Sequence, residues 1–494
     1  MPPSLAVAGV SAEPARPGKA VAPGGYPARH ALLAFVACFA LLLAAGWRER
    51  PRDLGYGDQY FYASVAWDLL HHGVYSDGFF DRVDSATAVP PPGMFLGPGY
   101  PALLAGVMAL DPALRDAAAC TVRHLPTSDV SQRCPPYRGL VLPVNMLLVA
   151  GALGLLFLAA RRVAAGRLAV AATATAIGLL TMLSYARLLG LAMTESLGLF
   201  LFAASALGFL AVWQDGRRRD AALTGAAFGL LLLTRPSHGV LAPLLLAALA
   251  LAALRAPREQ RRRRWQGLLL GAAALAAVTL PWAAHNELVL GRFALTAGYG
   301  PAVLVERLAF DAMTPREFGA SFLYWLPDFG DAWAERVFGA ETVHRLDWNR
   351  AGSFYDQGQQ DRHAALAQPG SLDDRLPAIL RAELARAPLG YAMATVSLAW
   401  RGLWVGRYWA LAMLVLLPFG LLAARRAGRL GLLLLFAAPS WIMLLVHAGA
   451  SVNQERYNLS LALGLSIAAA WALVEFAARI RAARPGPVRA GAAN

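Results

Sequence analysis

Lysine is almost absent from this chain: Lys19 is the only one among its 45 basic residues. Charge of either sign is scarce, at 15% of 494 residues, against 57% hydrophobic residues and a mean hydropathy of +0.46. A soluble domain builds its core from much less apolar material, so a soluble enzyme or binding module is excluded. Cysteine is nearly missing too. Three cysteines cannot staple a disulfide scaffold, and CTVRHLPTSDVSQRC offers one histidine and no pair at zinc-finger spacing. No internal repeat is visible, whereas many transporters are built from repeats with interrupted helices.

What is present is apolar sequence in runs of membrane length. Residues 31–47, 139–160, 168–185, 196–213, 267–282, 408–424, 430–446 and 459–478 approach the ~17 to 25 residues of a spanning helix. Residues 221–233 and 239–254, separated by TRPSH, form a helical hairpin. These runs give an all-α polytopic membrane protein of about ten transmembrane helices. The net charge of +14 and pI of about 10.2 suggest nucleic acid, but the arginines do not form one basic patch, so no nucleic-acid partner is expected. They cluster at alternate helix ends instead: Arg161, Arg162 and Arg167; Arg217 to Arg219; Arg255, Arg258 and Arg261 to Arg264; Arg425, Arg426 and Arg429; Arg479, Arg481 and Arg484. The positive-inside rule then places both termini in the cytoplasm of a bacterium, with the chain in its inner membrane.

Residues 1–28, rich in Pro, Ala and Gly, read as a disordered cytoplasmic segment, and the first helix as an uncleaved anchor. The transmembrane region over 29–282 contains a large outer loop at 48–138. A second outer region spans 283–407, and 408–480 holds the last helices before a cytoplasmic tail at 481–494. PLGYAMATVSLAWRGLWVG (388–406) reads as an aromatic-rich helix lying at the membrane interface. Cys120 and Cys134 share the first outer loop, where an oxidising compartment favours a disulfide worth roughly 3 kcal/mol for a loop of about 15 residues.

Two acids stand at predicted helix starts. Asp58 precedes the apolar spacing Phe61, Tyr62, Val65, Ala66 and Leu69, so an N-cap role explains it. Thr194 caps the next candidate while Glu195 complements its dipole. Capping does not explain why both acids, together with Arg187, Arg235, Arg292 and Arg456, fall at the outer membrane boundary, where ionisable groups are costly and usually functional. Each arginine taken alone is also accounted for by snorkelling to headgroups. Arginine forks and carboxylates converging on one site suit a phosphorylated lipid and a hydroxyl acceptor. His71 and His72 lie on an amphipathic, interfacial face. His238, His285 and His447 have no spacing that demands a role.

GDQYFYASVAWDLLHHGVY (57–75) resembles the first outer loop of GT-C glycosyltransferases, the superfamily of the protein O-mannosyltransferases and the aminoarabinose transferase of lipid A. Five further stretches follow in matching order: GPGYPALLAG (97–106), RLLGLAMTESLGLF (187–200), GAAFGLLLLTRP (225–236), LPWAAHNELVLGRF (280–293) and NQERYNLSLALG (453–464). The resemblance covers roughly residues 31 to 480 and implies outer-face amphipathic helices and inverting transfer of a sugar from a polyprenyl-phosphate carrier to an acceptor hydroxyl. It implies Asp58 and Glu195 as the catalytic acids and Arg235 at the donor phosphate, where Arg187, Arg292 and Arg456 from the same membrane boundary are further phosphate-binding candidates. Gln59, Tyr62, Tyr100, His285, Asn286, Glu455 and Tyr457 are the implied substrate-binding positions. The family often has Asp-Glu where this chain has Asp58-Gln59, and Arg-Asn where it has His285-Asn286. No organic cofactor is expected, and a divalent cation is left open. The competing class is a polytopic transporter or lipid flippase.

Overall fold

The computed structural model describes residues 27–78, 89–124, 133–348 and 350–483. The segment expected to be disordered and the C-terminal tail fall almost wholly outside these residues. Among them the architecture is helical. The first helix, α1 (Pro27–Arg48), leads into a loop region carrying α2 (Gln59–His72), α3 (Gly99–Leu110) and α4 (Pro112–His124). Four long helices follow: α5 (Val141–Val163), α6 (Leu168–Leu183), α7 (Glu195–Asp215) and α8 (Arg218–Thr234). A 3₁₀ turn at Pro236–Val240 joins α8 to α9 (Leu241–Leu254), and α10 (Arg258–Leu290) runs on for 33 residues.

The second loop region holds α11 (Tyr299–Leu308), α12 (Pro315–Tyr324), α13 (Gly330–Phe338), α14 (Phe354–Ala367), α15 (Leu372–Arg386) and α16 (Pro388–Gly402). Three more long helices close the chain: α17 (Tyr408–Arg426), α18 (Leu430–Ala450) and α19 (Leu461–Ala483). All ten expected membrane segments are helical. Eight are long and apolar enough to cross a membrane; α6, at 16 residues, is apolar but shorter, and α8 has 17. Residues 388–402, expected at the interface, form α16, which is not among the eight.

The arginine clusters gather at one end of the bundle. Arg162 at the end of α5 pairs with Asp215 at the end of α7 (3.0 Å), and Arg167 before α6 pairs with Glu475 late in α19 (2.6 Å). Both loop regions sit at the other end and touch: Ala297 N–H donates to the Met94 carbonyl (3.0 Å), and the Tyr299 ring meets Phe95 edge-on at 5.2 Å. Between the ends, α5, α6, α7 and α19 share one apolar core with α1, α17 and α18. Lipid offers no hydrophobic drive for helices to associate, so close packing through small residues matters. At the α8–α10 contact a Cβ on Gly225 would lie 2.0 Å from the Gly271 carbonyl oxygen, which only glycine permits.

The loop regions have cores of their own. One is built from α2, α3 and α4 around Tyr100, Leu104 and Met108, another around Phe310, Phe354 and Leu398. The second is anchored by the fully buried Arg307, which pairs with Asp311 and donates to the Ala448 and Tyr391 carbonyls and to Thr395. Cys120 at the end of α4 is bonded to Cys134, with Cα atoms 5.8 Å apart.

Candidate functional site

Neither expected cap forms. Asp58 occupies the N-cap position of α2, but its backbone is near φ −85°, ψ 6° and its carboxylate makes no capping bond. An N-cap side chain must reach back to the N2 or N3 amide from an extended backbone; here the carboxylate turns away. Oδ2 instead accepts from Arg456 Nη2 at 2.5 Å, 398 residues along the chain. Thr194 likewise makes no cap for α7, and its hydroxyl accepts from Arg235 Nη2 (3.1 Å).

Four charged side chains therefore meet at the loop end. Arg235 lies where α8 ends, because Pro236 cannot continue the helical ladder and the chain turns into α9. Its Nη2 is 3.3 Å from Glu195 Oε1, and Arg456 Nη1 is 3.7 Å from the same oxygen. Glu195 leads from the first turn of α7, where the helix dipole favours a negative charge. Two carboxylates and two guanidinium groups balance one another, with Glu195 buried, Arg235 and Arg456 mostly buried, and the Asp58 side chain 39% exposed. Balance does not mean saturation: Glu195 Oε2 and Arg235 Nε are buried without a hydrogen-bond partner.

Aromatic side chains wall this cluster. Tyr62 and Tyr100 meet edge-on at 5.5 Å, and Tyr457 lies beneath the Arg456 guanidinium, 5.3 Å from its ring centre. Burial pushes the Tyr62, Tyr100 and Tyr457 phenols up, so they remain neutral hydroxyls. Burial acts against the charge on Arg456, but the Glu195 and Asp58 carboxylates beside it favour the cation, and its pKa is raised.

Sequence reasoning missed a second layer from the loop helices. Glu306 on α11, buried, pairs with Arg362 on α14 (3.1 Å); burial raises its pKa, and the Asp58 charge adds to the rise. Tyr299 and Tyr355, also within reach of the Asp58 charge, are held protonated by burial. These residues sit in ordinary amphipathic helices that carry no local signal.

The other sequence candidates lie elsewhere. Arg292 is tied to Asp373 and Asp374 (3.5 and 3.0 Å), and Arg187 to the Tyr56 hydroxyl (2.7 Å). Gln59, buried, gives its amide to the Asp53 and Tyr56 carbonyls and accepts from Ala192 N–H, pinning the first loop to the segment before α7. Glu455 accepts from the Tyr185 hydroxyl (2.8 Å) and borders a separate cavity of ≈ 400 Å³ with Arg401 and Trp348. Its pKa is raised by burial, against the Tyr185 bond. His285 stacks on Trp282, while the Asn286 amide donates to the Ala294 carbonyl (2.8 Å) and fixes the turn after α10. His238 and His447 are buried 6.2 Å apart, and His447 Nδ1 bonds Asn458 (2.9 Å).

Arg456 bridges the two acids with its own positive charge. Among the described residues, the one close trio of metal-ligating side chains is Cys120, His124 and Cys134, whose sulfurs are spent in the disulfide.

No protein-family model matches the chain, and no curated protein does. Among solved structures, a crystal structure of ArnT from Cupriavidus metallidurans bound to undecaprenyl phosphate is similar at 14% identity, over 93% of this chain and 82% of that one, with a TM-score of 0.37.

Proposed function

We propose that the chain is an inverting glycosyltransferase of the GT-C type, moving a sugar from a polyprenyl-phosphate carrier to an acceptor hydroxyl at the outer face of a bacterial inner membrane. The observation that carries this reading is Asp58: an acid at a helix start that forgoes its cap and reaches instead for an arginine beside a second acid. Capping no longer accounts for it. The ordered sequence stretches that resemble the family contain all four of these charged residues, and Tyr62, Tyr100 and Tyr457 around them.

The chemistry follows from the residue types. The donor's phosphodiester carries one negative charge and leaves as a phosphate monoester with nearly two. Arg235 and Arg456 bind that phosphate and, once the donor is seated, meet the charge as it grows. Arg456 cannot serve the phosphate fully while it holds Asp58. Donor binding therefore draws Arg456 away and frees the carboxylate, the most exposed member of the cluster. Asp58 then accepts the acceptor proton as the hydroxyl oxygen bonds to the anomeric carbon from the face opposite the phosphate. The carbon–oxygen bond to phosphate breaks with its electron pair on the leaving group, so no general acid is required, unlike a glycosidase with its two carboxylates. Glu195 holds the two arginines in place through Oε1.

The test is transfer itself. Purified chain in proteoliposomes, given a panel of polyprenyl-phosphate sugars and membrane glycolipid extract, should release polyprenyl phosphate and label one acceptor. A transporter would instead move a lipid or solute across the vesicle membrane with no glycosidic bond formed, and that result would replace this reading.

A further inference from the structure

We propose that a cleft beside the loop end of α1 binds the phosphate of an anionic membrane lipid, independently of the reaction above. Arg50, Arg52, Arg138 and Arg187 line one cavity of ≈ 50 Å³ whose only carboxylate is Glu49. Four guanidinium groups against one carboxylate leave three positive charges in a small space. Among the described residues none of the four arginines pairs with an acid.

Their arrangement is built rather than incidental. Arg52 and Arg187 both lie over the Tyr56 ring, 4.8 and 5.3 Å from its centre, and Arg187 also donates to the Tyr56 hydroxyl. Arg138 donates to the Trp47 and Glu49 carbonyls at the end of α1, and its guanidinium lies 5.0 Å from the Trp47 ring centre. Arg52 Nε is buried with no hydrogen-bond partner. Like charges held around shared rings repel unless an anion joins them, and the planar fork of arginine matches phosphate oxygens. A water needs about 10 to 15 Å³ of such a cavity, so this one holds about four water-sized groups, the number of oxygens on a phosphate.

The surroundings favour a lipid as the source. Trp47 and Leu41 on α1 are 56% and 53% exposed, so an acyl chain can lie along α1 with its headgroup in the cleft. None of Asp58, Glu195, Arg235 or Arg456 lines this cavity; Gln59 does, beside Asp58 in sequence and bonded across to Ala192.

Native mass spectrometry of the full chain, released from nanodiscs of phosphatidylcholine doped with phosphatidylglycerol, reads retained lipid directly. Wild type should retain phosphatidylglycerol, and the double variant Arg52→Gln/Arg187→Gln should lose it by about tenfold or more, the scale of one lost charge-assisted bond. Arg52→Lys/Arg187→Lys keeps the charge without the forks and should lie between, so a misfolded glutamine variant does not end the test. Arg425→Gln/Arg426→Gln, at the opposite end of the bundle, should match wild type. Equal retention by wild type and both Arg52/Arg187 variants would overturn the proposal. So would inorganic phosphate that empties the cleft of lipid at millimolar concentration, since the site would then take free phosphate.

Discussion

Gly198 offers a sharp test of how the arginine at the α8 turn is held. It lies one turn into α7, where the Arg235 side chain crosses the helix, and a Cβ built there would stand 3.0 Å from both Cδ and Nε of Arg235. Optimal contact between such atoms is about 3.5 to 4.0 Å, so Gly198→Ala must displace the side chain by about 0.5 to 1 Å. The bonds at risk are those from Nη2 to Thr194 (3.1 Å) and Glu195 (3.3 Å), which aim the guanidinium. Stability pulls the other way. Replacing glycine by alanine inside a helix gains about 0.8 to 1 kcal/mol, offsetting part of the clash, so the variant should melt within a few degrees of wild type. A misplacement of about 1 Å in a catalytic constellation costs up to about 100-fold. Transfer should therefore fall by about 10 to 100-fold with the melting temperature nearly unchanged. The loss should appear in donor KM, while acceptor KM holds. Wild-type kinetics in a folded Gly198→Ala variant would refute the claim that Arg235 is held through this contact and used there.

Arg235→Lys keeps the charge but not the fork; donor affinity measured by equilibrium binding should drop about tenfold or more, with folding intact by circular dichroism. Arg307→Met strips the partner from buried Asp311 and leaves two carbonyls and Thr395 without their donor, and should cost about 3 to 5 kcal/mol in detergent unfolding. Cys120→Ser/Cys134→Ser removes the cross-link across 14 positions and should lower stability by about 3 kcal/mol. Alkylation of the unreduced, denatured wild type should label Cys38 alone.

The bundle was legible because membrane helices are specified locally: a run of apolar residues with arginines at one end is enough to mark each of the ten segments. Side-chain partners were not. The sequence around Asp58 and Thr194 looks like two caps, and both hydroxyl and carboxylate were free to choose a distant arginine instead. Thr314, by contrast, forms a full capping box with Glu317, because that contact is wholly local. Arg292 shows the opposite error, since nothing near LVLGRF reveals that Asp373 and Asp374 will fold back onto it. Glu306 and Arg362 escaped notice for the same reason: their place near Asp58 is set by how α11 and α14 pack, which no short motif records.

The central claim is that Asp58 accepts a proton, and Asp58→Asn tests it with the least disturbance. No cap is lost, because none is made. The ion pair with Arg456 is lost, but the Asp58 side chain is 39% exposed, so solvent screening limits that cost to about 0 to 1 kcal/mol. Asparagine keeps the shape and removes the base. Initial rates of sugar transfer in proteoliposomes, measured beside donor binding on the same preparation, should fall by about 10² to 10⁴ for Asp58→Asn while donor affinity holds or rises, since Arg456 no longer has a carboxylate to leave. Transfer at the wild-type rate with donor bound as before would contradict the account.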